Sequence, residues 1–94
     1  MYLLGFDIGS SSIKAALVDA ASGKCVAQTF SPKTEAPLSA PRQGWAEQHP
    51  ADWWENLKFA THDVMHTSGI SPDEVAAIGI SYQMHGLVCV DKDQ

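Results

Sequence analysis

Residues Gly5 to Lys14 read GFDIGSSSIK, and this stretch decides how the chain begins to fold. An apolar segment, Tyr2 to Ile8, precedes a cluster of glycine and serine, and a second apolar segment, Ile13 to Val18, follows it. Short apolar and β-branched segments that flank a Gly-Ser turn are typical of a β-hairpin. A third segment of this kind, Lys24 to Phe30, follows a second turn at 21–23. The sequence therefore predicts a three-stranded antiparallel meander.

The remainder of the chain predicts a helix and further strands. Residues 31–44 hold three of the five prolines, which indicates a long surface connection. Pro50 begins a helix that should end near Ser68, with proline in its favoured first position. The apolar face of this helix is formed by Trp53, Leu57, Ala60 and Val64, joined by Trp54 and Met65. Val75 to Ser81 is a continuous apolar run, as expected of a strand covered on both faces, and Leu87 to Val90 is predicted to be a further strand. A helical crossover makes the fourth strand parallel to part of the meander, so the fold class is α/β.

Length and composition restrict the kinds of partner. The 94 residues form one small domain or part of a larger one, and the net charge of -5 argues against nucleic acid or an acidic membrane held by bulk charge. Cys25 and Cys89 show no metal-like spacing, and Asp7 interrupts what could otherwise be a secretory signal. A reduced, cytoplasmic protein is predicted. We interpret the end at Gln94, directly after an apolar stretch, as that of a chain cut short.

The loop after the first strand permits two interpretations. In the first, Asp7 at the end of the apolar strand accepts hydrogen bonds from the amides of an ordinary turn. In the second, Gly9 allows a tight turn, the amides and hydroxyls of Ser10–Ser12 face phosphate oxygens, Asp7 holds hydrated Mg²⁺, and Lys14 adds a positive charge. The loop is not a Walker motif, because G-x-x-x-x-G-K-[ST] is absent and a strand follows it. The residues of the loop alone leave both interpretations open.

Three other features carry candidate chemistry. Gln83 and His85 directly follow a predicted strand, where α/β sheets bind ligands, although a polar hairpin would also explain them. Trp45 could be a platform for a sugar ring or a hydrophobic staple against the helix. His62 and His66 have the i, i+4 spacing of a zinc helix, but no third ligand is evident, so a packed helix with exposed histidines is favoured.

Three segments in this order, GFDIGSSSIKAALVD, GWAEQHPADWW and GISYQMHGLV, resemble the N-terminal part of the FGGY carbohydrate kinases, most closely the xylulose kinases. The first segment alone is similar to actin, Hsp70 chaperones and hexokinases. The resemblance implies a ribonuclease H-like fold of the actin-like ATPase superfamily, incomplete here. Residues 1–94 would be the N-terminal portion of the first of two such domains. The implied reaction is transfer of the γ-phosphoryl group of Mg-ATP to a sugar hydroxyl, as in the conversion of D-xylulose to D-xylulose 5-phosphate in xylose metabolism.

The resemblance also implies roles for individual residues. Asp7 matches the family aspartate near the metal, which it would hold through water. The phosphate-contacting loop matches Ser10, Ser11, Ser12 and Lys14, and the pair that contacts the sugar matches Met84 and His85. The catalytic-base aspartate and the adenine-binding segments of the family lie beyond Gln94, so the chain alone is expected to be inactive. The implied partners are a pentulose and ATP, with neither nucleic acid nor membrane, and a homodimer is compatible with the full-length protein.

The chain departs from the family pattern at two positions. Tyr82 stands where many members have glycine, which alters the pocket wall, and His49 stands where aspartate often precedes the proline. Two other classes remain as alternatives: an actin-like or Hsp70-like ATPase acting in assembly or chaperoning, and a ribonuclease H-type nuclease with Asp7 on the catalytic metal. The first has no reason to carry the Gln-Met-His-Gly segment, and the second requires further convergent carboxylates.

Overall fold

The computed structural model describes all residues, 1–94, as one four-stranded sheet with a long helix on one face. Its elements are β1 (Tyr2–Ile8), β2 (Ile13–Asp19), β3 (Cys25–Ser31), α1 (Pro50–Ser68), a short 3-10 helix (Pro72–Glu74) and β4 (Val75–Tyr82). The strand order is β3-β2-β1-β4; β1, β2 and β3 pair antiparallel, and β4 pairs parallel to β1. The predicted meander, the helix and the parallel fourth strand are confirmed.

The hydrophobic core is a single layer between α1 and the sheet. Pro50 occupies the first turn of α1, and Gly69 ends the helix with a φ of 70°, in the left-handed region that glycine tolerates. Ala60 and Val64 are fully buried on the inner side of the helix. The strands supply the other buried core side chains: Leu4, Phe6, Ile13, Ala15, Leu17 and Ala27. Alternate residues of a strand face opposite sides, so the other face of the sheet carries Asp7, Lys14 and Phe30.

The prediction that Trp54 joins the apolar face of α1 is wrong. Its side chain is 60% exposed, and the Lys58 ammonium lies 5.8 Å from its ring centroid. Neighbouring helical residues differ in direction by roughly 100°. Leu57 and Val64 lie on the side of α1 that packs against the sheet. Trp53 lies on that side too, so Trp54 points away from the sheet.

The prediction that the fourth strand is covered on both faces is also wrong for the residues described here. Ile78, Ile80 and Tyr82 of β4 are all more than half exposed. They share a face with Leu4 and Phe6 through the parallel register, but α1 packs on β2 and β3 and meets β1 only lightly. The single helix is therefore too narrow a layer to reach β4.

The predicted strand at Leu87 to Val90 does not form. This segment has no strand pairing, and Leu87 and Val90 are 85% and 68% exposed. An extended segment needs a neighbouring ladder to satisfy its backbone groups, and none of the four strands provides one here. Neither helix of the structure combines the length and apolarity that a membrane crossing requires.

Candidate functional site

The turn between β1 and β2 is closed by the backbone. The amide of Gly9 donates a hydrogen bond to the carbonyl oxygen of Ser12 at 3.1 Å. A Cβ atom on Gly9 would lie only 3.0 Å from that same oxygen, so the turn can be this tight only with glycine. The carboxylate of Asp7 accepts no hydrogen bond from the turn, so the interpretation of Asp7 as the cap of an ordinary turn is wrong.

The peptide groups of residues 9–12, which we call the phosphate loop, are held by their carbonyl oxygens. Gln48 Nε2 donates to the oxygen of Ser10 at 2.7 Å, and the amide of Ala36 donates to the oxygen of Ser11 at 2.8 Å. The amides of Ser10, Ser11 and Ser12 donate no hydrogen bond within the chain. In a trans peptide the carbonyl and the following amide point in opposite directions. Each held carbonyl therefore directs the amide of the same peptide, that of Ser11 or Ser12, away from the group that holds it, which leaves both amides free to donate to an anion.

Asp7 and Lys14 lie beside the phosphate loop, on the face of the sheet opposite α1. They are Cα partners in the β1–β2 ladder, and both are exposed. With Gln28 and Phe30 they line a cleft of about 680 Å³. The carboxylate of Asp7 forms no ion pair or hydrogen bond within the chain, so its oxygens are available to the water shell of a divalent cation. The donor set fits a hydrated Mg²⁺ with phosphate oxygens nearby.

A second cleft, of about 690 Å³, includes Ser10 of the phosphate loop in its lining. It is lined by Ser10, by Gln48 and Trp53 at the start of α1, and by Gln83 and His85 just after β4. These residues meet because β1 and β4 are parallel, so their carboxyl ends lie at the same edge of the sheet. Gln83 Nε2 is buried and has no hydrogen-bond partner in the chain. An unpaired buried donor is unfavourable, so a ligand oxygen in the cleft would supply the partner that this atom lacks.

The remaining sequence candidates lie outside both clefts. Trp45 is 51% exposed, and the Arg42 guanidinium lies 5.1 Å from its ring centroid. Met84 is 83% exposed in the turn after β4. His62 and His66 are exposed on α1, and no group of three or more potential metal ligands occurs in the structure.

Sequence reasoning missed the part played by Gln48. In the sequence, Gln48 is distinguished only as part of the segment GWAEQHPADWW, whereas the structure shows its side chain joining the phosphate loop to α1. A glutamine before a helical proline gives no sequence signal for a contact with Ser10, 38 residues earlier in the chain. Only the tertiary fold brings the two together.

Comparisons with known proteins relate the chain to carbohydrate kinases. Residues 2–94 match the family described as "FGGY family of carbohydrate kinases, N-terminal domain". The chain is 34% identical to the xylulose kinase of Bacillus subtilis (strain 168) over 93 residues, which are 99% of this chain and 18% of that protein. It is 36% identical to the glycerol kinase of Thermoanaerobacter sp. (strain X514) over 92 residues, 98% of this chain and 18% of that protein.

The crystal structure of xylulose kinase from Rhodospirillum rubrum superimposes with a TM-score of 0.85 at 30% identity, covering 99% of this chain and 18% of that one. The chain thus spans about 18% of the length of the curated relatives it matches. It has the α/β, actin-like ATPase fold of the N-terminal domains of these kinases, and the resemblance given by its three sequence segments is confirmed. The chain belongs to the FGGY family of carbohydrate kinases.

Proposed function

We propose that residues 1–94 are the N-terminal portion of the first ribonuclease H-like domain of an ATP-dependent sugar kinase. The full-length protein would transfer the γ-phosphoryl group of Mg-ATP to a sugar hydroxyl. One observation carries this proposal: the phosphate loop, with its three unpaired amides, connects the strands that carry Asp7 and Lys14 and also supplies Ser10 to the cleft that contains Gln83 and His85. A phosphoryl donor near Asp7 and Lys14 and a polyhydroxyl acceptor in that cleft would meet at this loop.

The residues would act by positioning and by neutralising charge, which are the main contributions to catalysis of phosphoryl transfer. ATP would supply the transferred group, and its Mg²⁺ would neutralise charge on the phosphates. The amides and hydroxyls of Ser10–Ser12 would bind phosphate oxygens, Asp7 would bind the water shell of the metal, and Lys14 would add a positive charge near the loop. The catalytic base would come from another part of the full-length protein.

The second cleft would bind the sugar. Gln83 Nε2 is an unpaired donor, and either ring nitrogen of His85 can donate to or accept from a hydroxyl, depending on its protonation. Met84 lies outside the lining of this cleft, so a contact between Met84 and the sugar is supported by the family resemblance of the Met84-His85 pair and not by its position. Trp45 does not line this cleft, so we assign it no contact with the sugar.

We further propose that the acceptor is D-xylulose, in cytoplasmic xylose metabolism. A xylulose kinase and a glycerol kinase are related to the chain at nearly equal identity, 34% and 36%, so the acceptor must be decided by assay. The three sequence segments, especially Gln83-Met84-His85-Gly86, support the pentulose over the smaller polyol.

The test is sugar-dependent release of ADP by the full-length protein, with D-xylulose, L-xylulose, gluconate and glycerol compared by kcat/KM. The highest value is expected for D-xylulose. A higher kcat/KM for glycerol would show that D-xylulose is not the preferred acceptor, and the proposal of a kinase would stand. Absence of ADP release with all four compounds would refute the proposal of a kinase. Nucleotide-dependent polymerisation would then favour an actin-like function.

A variant connects the assay to the second cleft. We expect His85→Ala to raise the KM for the sugar about tenfold or more, since loss of a hydrogen bond to a substrate hydroxyl leaves that group unpaired. Its affinity for Mg-ADP should stay unchanged. The matched control is His62→Ala, which removes an exposed histidine on α1, away from both clefts. Equal KM values for the sugar in His85→Ala and His62→Ala would show that His85 does not contact the sugar.

A further inference from the structure

We infer that Gln48 is a positioning residue for the phosphate loop, acting through the carbonyl oxygen of Ser10. The inference rests on the proposed function in one respect: it takes the phosphate loop to bind the phosphates of a nucleotide. Gln48 itself would touch neither the nucleotide nor the transferred group. It would set the direction in which the loop amides point.

The Gln48 amide group forms hydrogen bonds to three separate parts of the fold. Its Nε2 donates to the oxygen of Ser10 at 2.7 Å and to the oxygen of Pro37 at 3.4 Å. Its Oε1 accepts from Trp53 Nε1 at 3.0 Å. The side chain therefore joins the phosphate loop, the proline-containing connection and the first turn of α1. No other side chain in the structure bonds to three such distant segments.

The direction of these bonds determines what Gln48 can control. Trp53 Nε1 is a donor only, so it fixes Oε1 toward itself and leaves Nε2 facing the loop. Nε2 then holds the oxygen of Ser10, and planarity of the trans peptide turns the amide of Ser11 the opposite way. The Trp53 indole thus fixes the orientation of the Gln48 amide group, and this group fixes the orientation of the peptide between Ser10 and Ser11. A carboxylate in place of the amide would put an acceptor against the Ser10 oxygen and release this peptide.

The position of Gln48 beside the second cleft gives the inference a functional consequence. The side chain lines the cleft that contains Gln83 and His85, and it also lines a smaller cavity of about 180 Å³ between the loop and α1. Movement of the first turn of α1 would therefore be transmitted to the phosphate loop through the Gln48 side chain. A loop whose amides turn away from the phosphates would lose hydrogen-bond donors to the nucleotide. The affinity for the nucleotide would therefore fall, whereas the stability of the fold would change little.

The experiment measures the affinity of the full-length protein for Mg-ADP in the absence of sugar, by calorimetry, together with the thermal midpoint. Gln48→Glu keeps the size of the side chain and removes both N–H groups. We expect it to raise the Kd for Mg-ADP at least tenfold, with a small change in the midpoint. Gln43→Glu is the matched control, since Gln43 is exposed in the same connection and the charge change is equal. It should leave the Kd within twofold of the unmodified protein.

A second variant tests the inference even if Gln48→Glu does not fold. Trp53→Phe retains most of the packed ring and removes the indole N–H, which frees the Gln48 amide to rotate. We expect a smaller rise in the Kd, in the same direction. A Kd unchanged in both variants, or a midpoint that falls while the Kd stays constant, would overturn the inference and leave Gln48 with a structural role alone.

The two proposals fail in different ways. If Mg-ADP binds and Gln48→Glu weakens it but no sugar stimulates ADP release, the positioning role stands and the sugar kinase does not. If the unmodified protein binds no Mg-ADP, the phosphate loop and the role of Gln48 are both refuted.

Discussion

Replacement of Gly9 by alanine tests the geometry of the phosphate loop most directly. The added Cβ would lie 3.0 Å from the carbonyl oxygen of Ser12, whereas ordinary contacts begin at 3.4 Å. The neighbouring atom belongs to the backbone, so the loop itself must open by about 0.4 Å to relieve the contact. Gly9 does not have a positive φ, so Gly9→Ala introduces crowding without backbone strain.

The expected effect follows from this displacement. Opening by about 0.4 Å would stretch the 3.1 Å bond from the Gly9 amide to Ser12 to the limit of a hydrogen bond and would shift the amides of Ser10–Ser12. A misplacement of about 1 Å can cost roughly a hundredfold in rate, so we expect a loss of about tenfold. The assays are the Kd for Mg-ADP and kcat/KM for Mg-ATP in the full-length protein.

Gly79→Ala is the matched control, because a Cβ on Gly79 in β4 would meet no atom within 4 Å. Gly79→Ala adds the same methyl group as Gly9→Ala but crowds no neighbouring atom. The reasoning about the phosphate loop is refuted if Gly9→Ala and Gly79→Ala bind Mg-ADP with Kd values within twofold of each other.

Three further predictions concern stability and association. Leu17→Ala, at a fully buried core position, should lower the free energy of unfolding by about 2–5 kcal/mol in urea titrations, whereas Leu38→Ala, 58% exposed, should change it little. The Thr29 hydroxyl that donates to Asp63, aided by the positive charge of Lys33, lowers the pKa of Asp63 below its usual 3.8. A lowered pKa in the folded state contributes stability above pH 3.8 that is lost as the pH falls through the folded value. Thr29→Val should thus move the NMR titration of Asp63 back toward 3.8, and an unmoved titration would contradict this assignment. The isolated chain exposes Ile78, Ile80 and other apolar side chains, so it should self-associate and bind a hydrophobic dye; a dye-free monomer in ultracentrifugation would disprove this.

The local elements were predictable because they depend on short-range patterns. Tyr2–Ile8 formed a strand as predicted, and α1 began at Pro50 and ended at Gly69 as proline and glycine indicate. Predictions failed where a residue's environment depends on layers above the sheet. The apolar run of β4 resembled a buried strand, but burial depends on what packs over it, and α1 lies over β2 and β3.

For the candidate site, too, some features followed from the sequence and others from the tertiary structure alone. The sequence by itself determined the residue types: a glycine at a tight turn, three serines after it, a carboxylate at the end of a strand, and Gln83 and His85 after another strand. Only the tertiary structure decided their grouping, because the parallel pairing of β1 with β4 brings two chain segments more than 70 residues apart to one edge of the sheet. It also decided that Gln48 holds the loop carbonyl. That contact depends on where α1 crosses the sheet, and periodicity along the chain carries no information about it.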